Sequence, residues 1–139
     1  MIRTIALTTF FVISLNSCSS LKVNKTINKD VTSEIENFFK KFSGKYYLTV
    51  SFGDPFGDVS ANLELYYDNS TIQSVMSYFD GDKYIPVKVN STELYDGAIF
   101  INLEDQEAGN IEMEVYFDDQ TSISGFYAGQ FKFIGKRIN

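Results

Sequence analysis

The side chains that could carry chemistry are few. The chain has 139 residues with one cysteine, Cys18, and neither histidine nor tryptophan. A lone thiol can act as a nucleophile or accept a covalent group, but it cannot close a disulfide within the chain. Without histidine there is no Ser-His-Asp triad, no His-ligated metal and, with one thiol, no Cys-cluster zinc site. The remaining candidates are carboxylates: Asp54 with Asp58, Asp80 with Asp82, Glu104-Asp105 with Glu107, and Asp118-Asp119. Each group could offer oxygen ligands to calcium, but none has the spacing of an EF-hand loop. Asp is equally at home in hairpin turns, where its carboxylate bonds to nearby backbone, and solvated turns are the plainer reading. Paired carboxylates can also serve glycoside hydrolysis, but these lie in turns or on wet faces where nothing would raise one pKa. No Gly-x-Ser-x-Gly string offers a serine nucleophile. The inventory points to a non-catalytic protein with no cofactor and no metal.

The position of Cys18 is its most informative property. Arg3 gives a positive start, Ile5 to Leu15 is an uncharged and mostly apolar run of eleven residues, and Leu15-Asn16-Ser17 leads into Cys18. A run this short falls below the roughly 18 to 20 residues of a membrane-spanning helix, so it reads as the core of an export signal. These residues resemble the lipobox of bacterial lipoproteins, with Leu15 three places before the cysteine and the small Ser17 next to it. The resemblance implies removal of residues 1–17, lipid attachment to the Cys18 thiol, and a fatty acid such as palmitate on the new amino terminus. At about 0.8 kcal/mol per buried methylene, several long chains form a firm membrane anchor. By the sorting rule of that class, Ser19 rather than Asp after the cysteine implies the outer membrane, facing either the periplasm or the exterior.

The elements after Cys18 follow from hydrophobic period. Residues 18–30 are polar and carry Lys22, Lys25 and Lys29 without an apolar repeat, which predicts a flexible tether. Val31, Ile35, Phe38 and Phe42 recur at helical spacing, predicting one short amphipathic helix over 31–43. Ser33 with Glu36 could form its capping box, Asp30 is the rival cap, and Ser43-Gly44 is the stop. Packing of this helix on the following domain is favoured over a membrane interface.

From residue 44 to 139 the period switches to two. Tyr46, Leu48 and Val50 alternate with Tyr47 and Thr49, and Leu63 and Leu65 with Asn62 and Glu64. Val87, Ile101, Met113 and Val115 belong to later runs of the same kind, whereas Thr71 to Phe79 alternates less cleanly, as a bulged or edge strand would. Short turns separate the runs, among them Asp80-Gly81-Asp82, Asn90-Ser91 and Asp96-Gly97. The last has the residue types of a type I′ hairpin. Strands at this spacing with no helix between them predict a mainly β protein, an antiparallel up-and-down meander of about eight strands. Closure into a barrel removes exposed edges and is preferred to a sandwich.

This part resembles the lipocalin-like, calycin-type barrels found among short bacterial lipoproteins. The resemblance rests on Gly44-Lys45-Tyr46 opening the first strand and on Ile123 to Arg137, ending Gly135-Lys136-Arg137, as the last. It implies that Tyr46, where that family carries Trp, packs beneath Arg137 and closes one barrel end through a cation–π contact. An eight-stranded barrel is filled by side chains or holds one small ligand. The bulky inward set favours filling; a cavity would be lined by Leu48, Val50, Leu63, Leu65, Val87, Ile101, Met113 and Val115 and would take an apolar guest.

Charge supplies the alternative. Between Tyr46 and Phe131, fifteen acids face only Lys83 and Lys88, a local charge of −13. Such a surface disfavours nucleic acid and favours a cationic envelope protein or peptide. Two functions therefore stand: a lipid-anchored envelope protein holding a small apolar molecule, or an envelope interaction module or inhibitor with a filled barrel and an acidic outside.

Overall fold

The period-two runs become eight antiparallel strands, and each pairs with its neighbours in sequence. The computed structural model describes residues 23–138, with side chains from residue 33 onward. A helix, α1 (Val23–Phe42), is followed by β1 (Gly44–Ser51), β2 (Asp58–Asp68), β3 (Thr71–Phe79), β4 (Tyr84–Tyr95), β5 (Ala98–Asp105), β6 (Gly109–Phe117), β7 (Ser122–Tyr127) and β8 (Phe131–Ile138). β8 returns to β1 in register from Lys45↔Ile138 to Val50↔Phe133, so the sheet closes and no strand is left as an edge. Eight sequential antiparallel strands in one closed barrel are consistent with a lipocalin-like fold.

Turn chemistry sets the registers. Asp96 and Gly97 have φ of 49° and 79°, the two positive values of a type I′ turn, and join Tyr95 to Ala98. Asn69 and Ser70 do the same between Asp68 and Thr71, with φ of 49° and 62°. The segment Ile123 to Arg137, expected as one strand, is two. Ala128 and Gly129, both at positive φ, turn the chain between Tyr127 and Phe131.

Two further expectations are corrected along β4. Asn90-Ser91 is not a turn but a bulge inside a twelve-residue strand, where the pairing with β5 shifts between Val89 and Ser91. The extra residue moves the inward positions from Ile85, Val87 and Val89 to Thr92 and Leu94. The irregularity suspected in Thr71 to Phe79 therefore lies in the partner strand. β3 pairs with β4 only from Met76↔Val87 to Phe79↔Tyr84; beyond that the seam is bridged by the Ser74 and Thr92 hydroxyls, 2.6 Å apart.

Inside the barrel Tyr46, Leu48, Leu63, Leu65, Ile99, Ile101, Leu103, Met113 and Val115 are wholly buried. The outer face carries Lys45, Glu64, Glu104, Glu112, Lys132 and Lys136, charges suited to water rather than lipid. Two glycines let the layers meet. A Cβ on Gly135 would lie 2.5 Å from Leu48 Cδ2, and one on Gly125 only 1.8 Å from the Glu114 carbonyl oxygen.

The helix is longer than the expected 31–43. Within the described residues it spans Val23–Phe42, so residues 23–30 of the expected tether are helical, and Asp30 and Ser33 are interior rather than caps. No Gly or Pro interrupts 23–42, which leaves nothing to stop the helix before Ser43-Gly44. Its carboxyl-terminal half covers one end of the barrel. Phe39 is the deepest residue, 1% exposed, and its ring stacks at 5.8 Å on Tyr67. Phe38 and Phe42 flank Phe117 at 5.2 and 4.7 Å between ring centroids. Burying a ring like Phe39 contributes about 1.5–3 kcal/mol. The periodicity marks Val31, Ile35, Phe38 and Phe42 as the apolar face, whereas the stripe that enters the barrel centres one residue along, on Phe39.

Candidate functional site

The two barrel ends differ. At the helix end Tyr46 and Arg137 are cross-strand partners, and among the described residues no stacked cation–π contact joins them. Tyr46 Oη donates to the Phe42 carbonyl at 2.6 Å. Arg137 Nη1 donates to the carbonyls of Lys41 (3.2 Å) and Gln120 (3.3 Å), and Nη2 to that of Ser43. The guanidinium thus caps the helix's carboxyl end, where unpaired carbonyls favour a cation. Among the described residues the cation–π contact at this end is Lys41 over Phe42, at 5.2 Å. Burial raises the Tyr46 pKa, opposed by the Arg137 charge and reinforced by that of Asp119. A neutral, hydrogen-bonded phenol here is a structural part of the plug.

The opposite end is open. A cleft of about 730 Å³ lies among the end of β1, the start of β2, the end of β3, the start of β4 and the β5–β6 turn. Val50, Val59, Ala61, Met76, Ile85 and Val87 give it an apolar floor and walls. Four aromatic rings join them: Phe52, Phe56, Tyr78 and Tyr127. Phe52 is held edge-on to Tyr127 at 5.9 Å and against Phe131 at 4.7 Å. Phe56 is different, 78% exposed at the tip of the β1–β2 loop. That loop closes on itself, with Gly57 N–H bonded to the Gly53 carbonyl (2.7 Å) and Phe52 N–H to that of Gly57 (3.0 Å).

Of the eight residues expected to line a cavity, only Val50 and Val87 do so. Leu48, Leu63, Leu65, Ile101, Met113 and Val115 are packed against one another in the filled lower part of the barrel. Filling and cavity, posed as alternatives, are both present at different heights. The lining that the pattern missed comes from strand ends and from the β1–β2 loop. The one signal for it was Phe56, an apolar ring inside the longest run of turn residues.

The cleft's rim is charged. Lys88 Nζ pairs with Glu104 Oε2 at 2.5 Å, and Asp105, Gln106 and Glu107 follow on the β5–β6 turn. Asp105 Oδ1 accepts the N–H groups of Ala108 (2.7 Å) and Glu107 (2.8 Å), which lower its pKa and keep it ionised. The Tyr127 hydroxyl is pushed up to about 12, by burial first and then by the Asp105 charge and by Tyr78. Asp80 and Asp119 hold their own turns in the same way. Asp80 bonds the N–H groups of Asp82 and Lys83, and Asp119 those of Thr121 and Ser122. These carboxylates are turned to backbone, and among the described residues no three acidic side chains converge on a metal position.

Cys18 and residues 1–17 lie outside the described residues. No family model, curated protein or solved structure matches this chain.

Proposed function

We propose that this is a non-catalytic lipoprotein of the bacterial cell envelope, anchored through Cys18 and sorted to the outer membrane, whose barrel takes a small apolar molecule into its open end. The observation that carries the binding role is the asymmetry of the barrel. One end is plugged by Phe38, Phe39 and Phe42, while the other keeps a cleft of about 730 Å³ lined by aliphatic and aromatic side chains. That volume falls in the range of small-molecule sites, roughly 300–1,000 Å³. The anchor rests on Leu15, Ser17 and Cys18, and on the absence of any other thiol in the chain.

Native mass spectrometry of full-length protein purified from its own envelope tests the reading. A co-purifying small apolar molecule supports it. A co-purifying cationic protein with an empty cleft would favour instead the interaction module suggested by the acidic outer surface. Loss of fatty-acid labelling in Cys18→Ala tests the anchor separately; unchanged labelling would contradict it.

A further inference from the structure

The cleft's charge and rings narrow what it accepts. Among the residues that line it, Glu104, Asp105 and Glu107 are acidic and Lys88 is the one cation. Lys88 is already neutralised by Glu104. Asp105 is fixed in its turn as an anion, and Glu107 makes no ion pair among the described residues. The mouth therefore keeps an excess of negative charge beside Tyr78, Tyr127 and Phe56, whose ring faces attract cations. An anionic head group, such as a fatty acid's carboxylate, would meet like charge on leaving the apolar floor. A neutral guest could hydrogen-bond to the rim but would gain nothing from its charge.

We infer that the guest is a cationic amphiphile: an apolar chain seated against Val50, Ala61, Met76 and Val87, with an ammonium head at Glu107 and Asp105 among the rings. This rests on the reading of the open end as an apolar binding site and adds the chemical class of the ligand. The Lys88–Glu104 pair then has a second consequence, since it silences the one positive charge that would otherwise draw anions to the mouth.

Three probes with the same chain separate the two claims: decylammonium, decanol and decanoate, each titrated as monomer into full-length protein by calorimetry. Decylammonium is expected to bind about three- to tenfold more tightly than decanol, and decanoate the most weakly of the three. The advantage of decylammonium should shrink in about 0.5 M salt, while decanol is unaffected. Glu107→Gln, at an exposed position that leaves the core untouched, should remove much of that advantage, read as a fall in the ratio of decylammonium to decanol affinity. Equal affinity for all three probes, or preference for decanoate, would overturn the cationic guest while leaving the apolar site standing. No binding by any probe would overturn both. Lys88→Ala gives an opposite control, in which a freed Glu104 strengthens decylammonium binding; weaker binding would count against the inference.

Discussion

Tyr46 and Arg137 face each other across β1 and β8, and each sends its polar end to a backbone carbonyl of the helix's carboxyl terminus. The closing strand pair of the barrel is thereby tied to the plug at its end. Gly44 makes room for this tie, since a Cβ there would sit 2.7 Å from Arg137 Nε and the residue has φ of +152°.

Removing the tie should loosen the plug without opening the sheet. Arg137→Ala is expected to lower stability by about 1.5–3 kcal/mol, and Tyr46→Phe by about 0.5–1.5 kcal/mol, from urea unfolding. The double variant should cost less than the sum, because both act on the same helix end. Strict additivity would show that the two residues serve separate parts of the fold.

The two barrel glycines should differ in their tolerance. In Gly135→Ala the new methyl meets side chains only, Leu48 Cδ2 and Ile123 Cγ1, whose repacking is expected to cost about 1–3 kcal/mol. In Gly125→Ala it meets the Glu114 carbonyl oxygen, backbone that is fixed in the β6 pairing. That variant should lose more than Gly135→Ala or fail to fold, as thermal unfolding would show. Equal effects would contradict the close approach at Gly125.

Much of this fold is written in local pattern. Alternation at Tyr46-Leu48-Val50 and Ile99-Ile101-Leu103 needs only a two-sided sheet to be read, and Asp96-Gly97 names its own turn. The bulge at Asn90 was illegible because polar residues serve turns and bulges alike, and the parity change that would reveal it is visible only once β5 is paired. The two strands inside Ile123 to Arg137 were hidden by Ala128, a non-glycine residue at positive φ. The cleft was harder still. It is built from strand ends brought together by closure, and periodicity reports which face is inward but not how high in the barrel the packing stops.

Acid should weaken the fold through its turns. The Asp119 carboxyl is held well below its ordinary value of 3.8, first by the Ser122 side chain and then by Thr121, and Asp80 and Asp105 are lowered by backbone N–H groups. The folded state keeps these groups ionised where the unfolded chain takes up protons. Their contribution is therefore full above about pH 5 and is lost as pH falls through 3.8 towards the folded values. Urea midpoints should be flat from neutral pH to about 5 and then fall, with a shallower fall in Asp119→Asn. An identical acid limb in that variant would contradict this assignment.

Phe56 should matter to binding and not to folding. Its ring lines the cleft yet is 78% exposed, so Phe56→Ala removes little buried area. Stability within about 0.5 kcal/mol of the parent is expected, together with a several-fold loss of decanol affinity by calorimetry. Unchanged affinity would remove the β1–β2 loop from the site.

If the barrel is filled and plugged at one end and takes an apolar guest at the other, the two heights should respond differently to that guest. Carbon-13 methyl spectra of the full-length protein titrated with decanol test it most directly. Saturable shifts are predicted at Val50, Val59, Ala61, Met76 and Val87, with Leu65, Ile99 and Ile123 unmoved. Shifts centred on Leu65, Ile99 and Ile123, or no saturable shift anywhere, would contradict it.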